Sequence, residues 1–463
     1  MTLTSKFCDA ADWFRPEVHE VITNELREIP RFHRKQWESA MIFLALRQAG
    51  KLRPESRGLS MGGGRELILY AIAPHVQRLT VTDLYEVGTA WECANTSDPE
   101  VFIKQHKPFP VDDSRLTALR MDMRQLDFPD ASFDFCYSTC AVEHIGQRED
   151  FVRHFNEVAR VLKDDGVYVF TTEVSYGSDT IKDFHNYVFS LEDLHDMFAE
   201  SNLFPQEEFD ARIAHHKINH PTPSNLKSLS HFIPELFTEH LLQESPHIQL
   251  MRGKHPFTCG IFVMTKRQGN PIQPVTRFVG LEDSRTFVES GVEQYRSLLQ
   301  RSGVSIDPFS LLPGEKSRYF ADHMEFVGSD GRVALDHETV FHTDYFWLGS
   351  GERVFDLSLG PVNPEGDCLG EIEVRVHRFK TLDSRTVECE LSTTVDIDGP
   401  GMFVRRVELE MDEESNYAVL AKYRKGAVLF KNIVISSYPA SLAKTIVLSG
   451  SSDLGIRCQF KQE

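Results

Sequence analysis

The glycines Gly62, Gly63 and Gly64 and the carboxylate of Asp83 have types and a spacing that suggest a chemistry. Adjacent glycines let a backbone approach a ligand more closely than any side chain would permit. They follow Arg57-Gly58-Leu59-Ser60-Met61 and precede Arg65-Glu66. A carboxylate about 20 residues beyond such a turn can hold the two hydroxyls of a ribose. Here Asp83 closes Leu79-Thr80-Val81-Thr82-Asp83. Strand, glycine turn, helix start, strand and carboxylate, in that order, describe a nucleotide-type site. Polar groups recur further on: Asp122, the stretch from Ser138 to Glu143-His144, and His185.

These groups act together only if the fold gathers them. From 57 to about 173 the pattern alternates. Strands are expected at 57–61, 79–83, 116–121, 133–138 and 166–172, with helices over 66–73 and 150–162 between them. An earlier helix is expected over 33–50, where Trp37, Met41, Leu44 and Ala45 share a face and Gly50 ends the run. The rhythm predicts a parallel sheet covered on both faces. Ligands on such sheets sit beyond the carboxyl ends of the strands. Gly62–Gly64, Asp83, Asp122 and Ser138 to His144 all fall at such ends, so one rim should collect them.

Residues 176–257 are less regular, with a helix near 190–200, more helix across 223–243, and then an apolar strand from Cys259 to Thr265. The segment 266–276, with Gly269, Pro271 and Pro274, reads as a linker. Beyond it come one helix at 287–302 and then strands, at 371–376, 386–396, 403–410, 417–423, 427–435 and 445–449. Many short strands separated by turns predict an antiparallel β-sandwich. The expected organisation is therefore 1–265, a linker at 266–276, and a β-rich domain over 277–463.

The bulk numbers narrow the function classes. At 463 residues with 41% hydrophobic content, two or three domains are expected. A net charge of −19 disfavours a phosphate-tracking surface, so nucleic acid is not an expected partner. Eight cysteines are scattered without a CxxC pair, and they read as reduced thiols in a cytoplasmic protein. The start, Met1 to Lys6, shows no signal-peptide pattern, and the longest apolar run, Ala40 to Leu46, is too short to span a bilayer. His215, His216 and His220 lack a carboxylate at matched spacing and read as a solvated loop. No metal is expected.

Residues 57–173 resemble a class I S-adenosylmethionine-dependent methyltransferase. The likeness rests on ordered motifs: Leu59 to Glu66, Val81-Thr82-Asp83, Arg120-Met121-Asp122-Met123, Phe133 to Ser138, Glu143-His144-Ile145, and Glu157 to Gly166. It implies a Rossmann-like α/β domain with S-adenosylmethionine as cofactor. Met61, Gly62, Gly63 and Gly64 would meet the methionine end. Asp83 and Leu84 would meet the ribose, and Asp122 and Met123 the adenine. Ser138 would bring a strand end to the transferable methyl. The family usually carries an acidic residue about two positions before the first glycine, and Ser60 stands there. Glu66 stands in place of the third glycine. Binding of the cofactor's amino group would then fall to other residues.

A hydroxyl acceptor must lose a proton, which a histidine can take near neutral pH. His144 and Glu143, beside the expected methyl, and His185, in the region of substrate contacts, are the candidate catalytic residues. Trp37, Trp91 and Tyr345-Phe346-Trp347 read as core. The Gly64-Arg65-Glu66 form of the first motif and Thr82-Asp83-Leu84-Tyr85 resemble bacterial enzymes of surface-polysaccharide and glycan pathways. A sugar or glycan hydroxyl is the expected acceptor. The alternatives are a small natural product or lipid acceptor, and a non-catalytic glycan-binding or scaffolding protein on the same fold. A homo-oligomer is left open.

Overall fold

The computed structural model describes residues 5–88, 92–105, 107–183, 186–223, 246–252, 255–266 and 276–302. Beyond these it describes 304–306, 311–313, 317–319, 324–327, 339–343, 346–348, 351–361, 370–379, 387–397, 403–411, 415–425, 427–437, 446–449 and 457–460. The chain divides into two compact units. One comprises Met1–Pro221, Pro246–Leu250 and His255–Glu289, and the other comprises Thr222–Ser245, Met251–Lys254 and Ser290–Glu463. His185, Trp91, Tyr345, the expected helical stretch at 224–243 and most of the segment 266–276 lie outside the described residues.

The first unit is built on a large twisted sheet. Its strands are β1 (Ser5–Phe7), β2 (Arg57–Met61), β3 (Arg78–Asp83), β4 (Leu116–Arg120), β5 (Phe133–Thr139) and β6 (Leu162–Ser175). It also takes in Glu208–Asp210, His255–Lys266 and Arg277–Val279. Across the sheet the order begins β4-β3-β2-β5-β6, all parallel. The chain winds outward from β2 in one direction and from β5 in the other. The strand order reverses between β2 and β5, which makes the rim above these two strands the place for a ligand.

The apolar pattern explains the core. β5 is buried at every position, as a strand covered on both faces must be. The helix Arg148–Val161 buries Phe151, Phe155 and Val158 on one side of the sheet. The helix Arg34–Gln48 is buried over most of its middle: Trp37, Met41 and Leu44 are joined by Ile42, Phe43 and Leu46. It is covered from outside by Val18, Val21, Ile22 and Leu26. Trp37 donates from Nε1 to Asp12 at 2.8 Å.

The parallel sheet expected over 57–173 is present as β2 to β6, and beyond β6 the sheet continues with antiparallel pairing. His255–Lys266 runs antiparallel to β6 from Phe257↔Ser175 to Thr265↔Val167 and then pairs antiparallel with β1. Residues 176–254 separate β6 from this strand, and a connection of that length leaves the sense of the pairing open. β6 is also longer than its apolar stretch suggested, because pairing continues on both sides of it.

Arg277–Val279 adds to this sheet beside Glu208–Asp210. Leu281 and Val288 of the following helix, Leu281–Ser302, are buried in the same core. The first unit thus extends past the 266–276 segment. A fragment ending at 265 should melt well below one ending at 302, since each buried aliphatic side chain removed is worth about 1.5–3 kcal/mol. Equal midpoints in thermal melts of the two fragments would contradict this packing.

The second unit carries two largely antiparallel sheets. In the eight-stranded one, Gly351–Pro361 lies between Phe403–Met411 and Ala427–Ser437. In the six-stranded one, Gly370–Phe379 lies between Val387–Ile397 and Ser415–Lys425. Ile372, Val374 and Val376, alternate residues of Gly370–Phe379, are buried. Among the described residues no helix is long and apolar enough to cross a membrane.

Candidate active site

A cavity of about 480 Å³ opens at the carboxyl rim of β2, β3, β4 and β5. That is the size of a small-molecule site. Its floor is the turn after β2. Gly62 has φ +61, and a Cβ there would lie 2.4 Å from the Cβ of Ala141. Only glycine fits between the two turns. Two of the four non-glycine residues with positive φ among those described, Tyr85 and Cys140, line the same cavity. Backbone strain of this kind collects at functional sites.

Asp83 ends β3 on the cavity wall. It accepts the N–H of Gly64 at 2.9 Å and of Leu84 at 2.7 Å, which fixes its carboxylate against the glycine turn. Burial pushes its pKa up against these backbone donors. A carboxylate has about four lone-pair sites, so capacity remains for two ribose hydroxyls. Asp83→Ala should weaken binding of S-adenosylhomocysteine by about 1.5–3 kcal/mol, the range for hydrogen bonds to a charged group. Isothermal titration checks this, and an unchanged affinity would remove the ribose role.

Asp122 and Met123 line the cavity at the end of β4. The partner of Asp122 is not evident from spacing alone. Arg124 donates from Nε to both carboxylate oxygens at 3.0 Å and from Nη2 to Oδ2 at 2.6 Å. Its hydrogen bonds hold Asp122 below the usual carboxylate range. Nη1 continues to the carbonyl of Ile145 at 2.9 Å and so ties the β4 loop to the loop after β5. Arg124 itself lines the cavity, and little acceptor capacity is left on Asp122 for an adenine amino group.

Thr139 at the end of β5 and Cys140, Ala141 and His144 after it form a wall. Ser138 and Met61 are fully buried and do not line the cavity, and neither do Gly63 and Gly64. Glu143 turns inward. Its Oε2 accepts from the Thr172 hydroxyl at 2.8 Å, and Oε1 has no hydrogen-bond partner among the described residues. Burial raises its pKa.

Other motif residues serve the scaffold. Glu157 accepts from the N–H of Leu126 at 2.8 Å, while Arg160 reaches the carbonyls of Leu126 and Phe128. Together they clamp the loop after β4. Asp134 joins the far ends of the strands by accepting from Arg57 N–H and pairing with Lys163. His215 lies 3.2 Å from Asp283 and stacks on Phe287. Glu38, Cys140 and Cys259 are the metal-compatible trio among the described residues. Nη1 of Arg34 already stands 3.4 and 3.1 Å from the two sulfurs, so a second cation would face a guanidinium there.

Residues 59–170 match the family model described as "Methyltransferase domain". No curated protein matches the chain. Among solved structures it is similar to the YcgJ protein from Bacillus subtilis, at 19% identity over 49% of this chain and 98% of that one, with a TM-score of 0.32. An S-adenosylmethionine-dependent methyltransferase from Mesorhizobium loti has 15% identity, covers 48% of this chain and 96% of its own, and scores 0.30. Geranyl diphosphate C-methyltransferase from Streptomyces coelicolor A3(2) has 14% identity, covers 57% and 90%, and scores 0.30. Likeness at this level says nothing of substrate. The match over 59–170 and the β4-β3-β2-β5-β6 strand order mark this part of the chain as a class I S-adenosylmethionine-dependent methyltransferase domain.

Proposed function

We propose that this protein methylates a hydroxyl group, on a sugar or glycan. The residues fit the cofactor: the glycine turn admits a close backbone approach, Asp83 keeps acceptor capacity, and the cavity is of ligand size. The cofactor supplies an electrophilic methyl on a sulfonium. Transfer is an in-line displacement, so the chain's main task is alignment.

The observation that carries the hydroxyl reading is His144 on the cavity wall, in the short 3₁₀ turn Val142–His144 that follows β5. A hydroxyl is a poor nucleophile until it loses its proton, and an imidazole at this wall is placed to take it. Glu143, anchored to Thr172, fixes the turn that presents His144. The sugar half of the reading is supported by the sheets of the second unit and by analogy of fold, which is the weaker support.

Methyl transfer from labelled cofactor to nucleotide sugars and oligosaccharides, run beside small natural products and lipids, tests the proposal. Labelled sugar supports it. Label only in a lipid or natural product moves the acceptor to that class. Binding of S-adenosylhomocysteine with no turnover on any of them supports a non-catalytic protein instead.

A further inference from the structure

We propose that Glu66 and Lys35 form the receptor for the amino-acid end of the cofactor, Glu66 taking the ammonium and Lys35 the carboxylate. The inference rests on the cofactor reading above.

Both residues line the cavity, together with Gly62 and Thr139. Among the other charged groups on its wall, Asp83, Asp122 and Arg124 have prior commitments. Asp122 and Arg124 satisfy each other, and Asp83 is held by two backbone N–H groups. Glu66 accepts one hydrogen bond among the described residues, from the Thr139 hydroxyl to Oε2. Its other oxygen is open to a donor. Lys35 pairs with Glu38 at 3.2 Å, yet its side chain remains 45% exposed. An ammonium has three donors for further acceptors.

The end of β2 offers no acid for this task. Ser60 is fully buried, and a Cβ on Gly63 would lie 2.3 Å from its Oγ. The hydroxyl is sealed beneath the glycine turn. Glu66, at the far side of that turn, is the carboxylate that reaches the cavity instead. A zwitterion needs an acid and a base at one place, and Glu66 with Lys35 provides them.

Protonation gives a signature. Burial raises the pKa of Glu66 to about 7, against lowering by Lys35 and the Thr139 hydrogen bond. Glu38 and Asp83 also face it and raise it further, and Cys93 and Tyr137 stand nearby. An ammonium bound to Glu66 favours its ionised form. Binding below pH 7 must therefore expel a proton, and affinity should rise between pH 6 and pH 7.5.

The test is isothermal titration of the full chain with S-adenosylhomocysteine and with methylthioadenosine, which lacks the amino-acid end. For Glu66→Gln, S-adenosylhomocysteine should bind about 10- to 100-fold more weakly, as for a lost charged hydrogen bond. Its affinity should lose most of the pH dependence, while methylthioadenosine binds as to wild type. Lys35→Met should show the same selectivity. Gln preserves an acceptor for Thr139, and methylthioadenosine binding reports an intact cavity. Equal loss for both ligands, or no loss for either, overturns the proposal while leaving the cofactor reading standing. Failure of the wild type to bind either ligand overturns both.

Discussion

Replacing His144 by Asn should lower turnover by about 10²–10⁴-fold while cofactor affinity stays within a small factor of wild type. The expectation follows from position and chemistry together. His144 lines the cavity on the wall formed after β5. Asn keeps a polar side chain of similar reach but takes up no proton. A loss confined to turnover separates proton transfer from a role in shaping the pocket, which would also weaken binding of S-adenosylhomocysteine. The companion variant is His185→Asn. If His185→Asn abolishes turnover on an identified acceptor and His144→Asn does not, the base is His185. If neither matters, alignment alone carries the rate, or the acceptor is a group that needs no base.

The sheet and its rim were legible in the sequence because they are written locally. Strand ends at Met61 and Asp83 coincide with the end of an apolar run and the start of a glycine or polar turn. The helix over 34–48 is announced by apolar spacing and ended by Gly50, which has φ +65. Two things were not legible. One is the sense of strands that return after a long excursion: His255–Lys266 reads as a strand, but nothing in its own residues says antiparallel. The short strand Ser5–Phe7 was missed for a related reason, since three residues show no periodicity and its place is set by distant partners.

The other is the pairing of charges. Arg124 lies two residues from Asp122, yet that spacing does not pair them, because spacing does not fix a rotamer. Glu66 was visible only as a departure from a glycine pattern. Lys35, thirty-one positions earlier, carried no signal at all, because the two come together only when the helix Arg34–Gln48 packs against the sheet. A local pattern reveals where backbone must bend or bury. It does not reveal which charge faces which across a core.

Arg34 makes the widest such long-range set among the described residues, and its loss should be strongly destabilising. Its side chain is only 12% exposed. Nη1 pairs with Glu38 at 3.2 Å, and Nη2 with Glu173 at 2.5 Å on β6. Nη1 also stands against the sulfurs of Cys140 and Cys259. One guanidinium thus joins the helix Arg34–Gln48 to β6, to the turn after β5 and to the returning strand. Arg34→Met fills similar volume but leaves Glu173 buried with Asn186 and Glu38 with Lys35. Removing one partner of a buried ion pair costs about 3–5 kcal/mol. Denaturant unfolding at neutral pH should show a loss of that size. Burial alone would raise the pKa of Glu38, but Lys35 and Arg34 more than offset it, so its pKa lies below its ordinary value. Stability from this group is present above the unfolded pKa and is lost as pH falls through the folded one. Without Arg34 the carboxyl keeps Lys35 but loses one of the two cations that hold its pKa down, so its pKa rises. The gap between wild type and variant should therefore be widest near neutrality and narrow on acidification. A gap below 1 kcal/mol at neutral pH, or one that widens as pH falls, would mean that the network is solvated and does not hold these elements together.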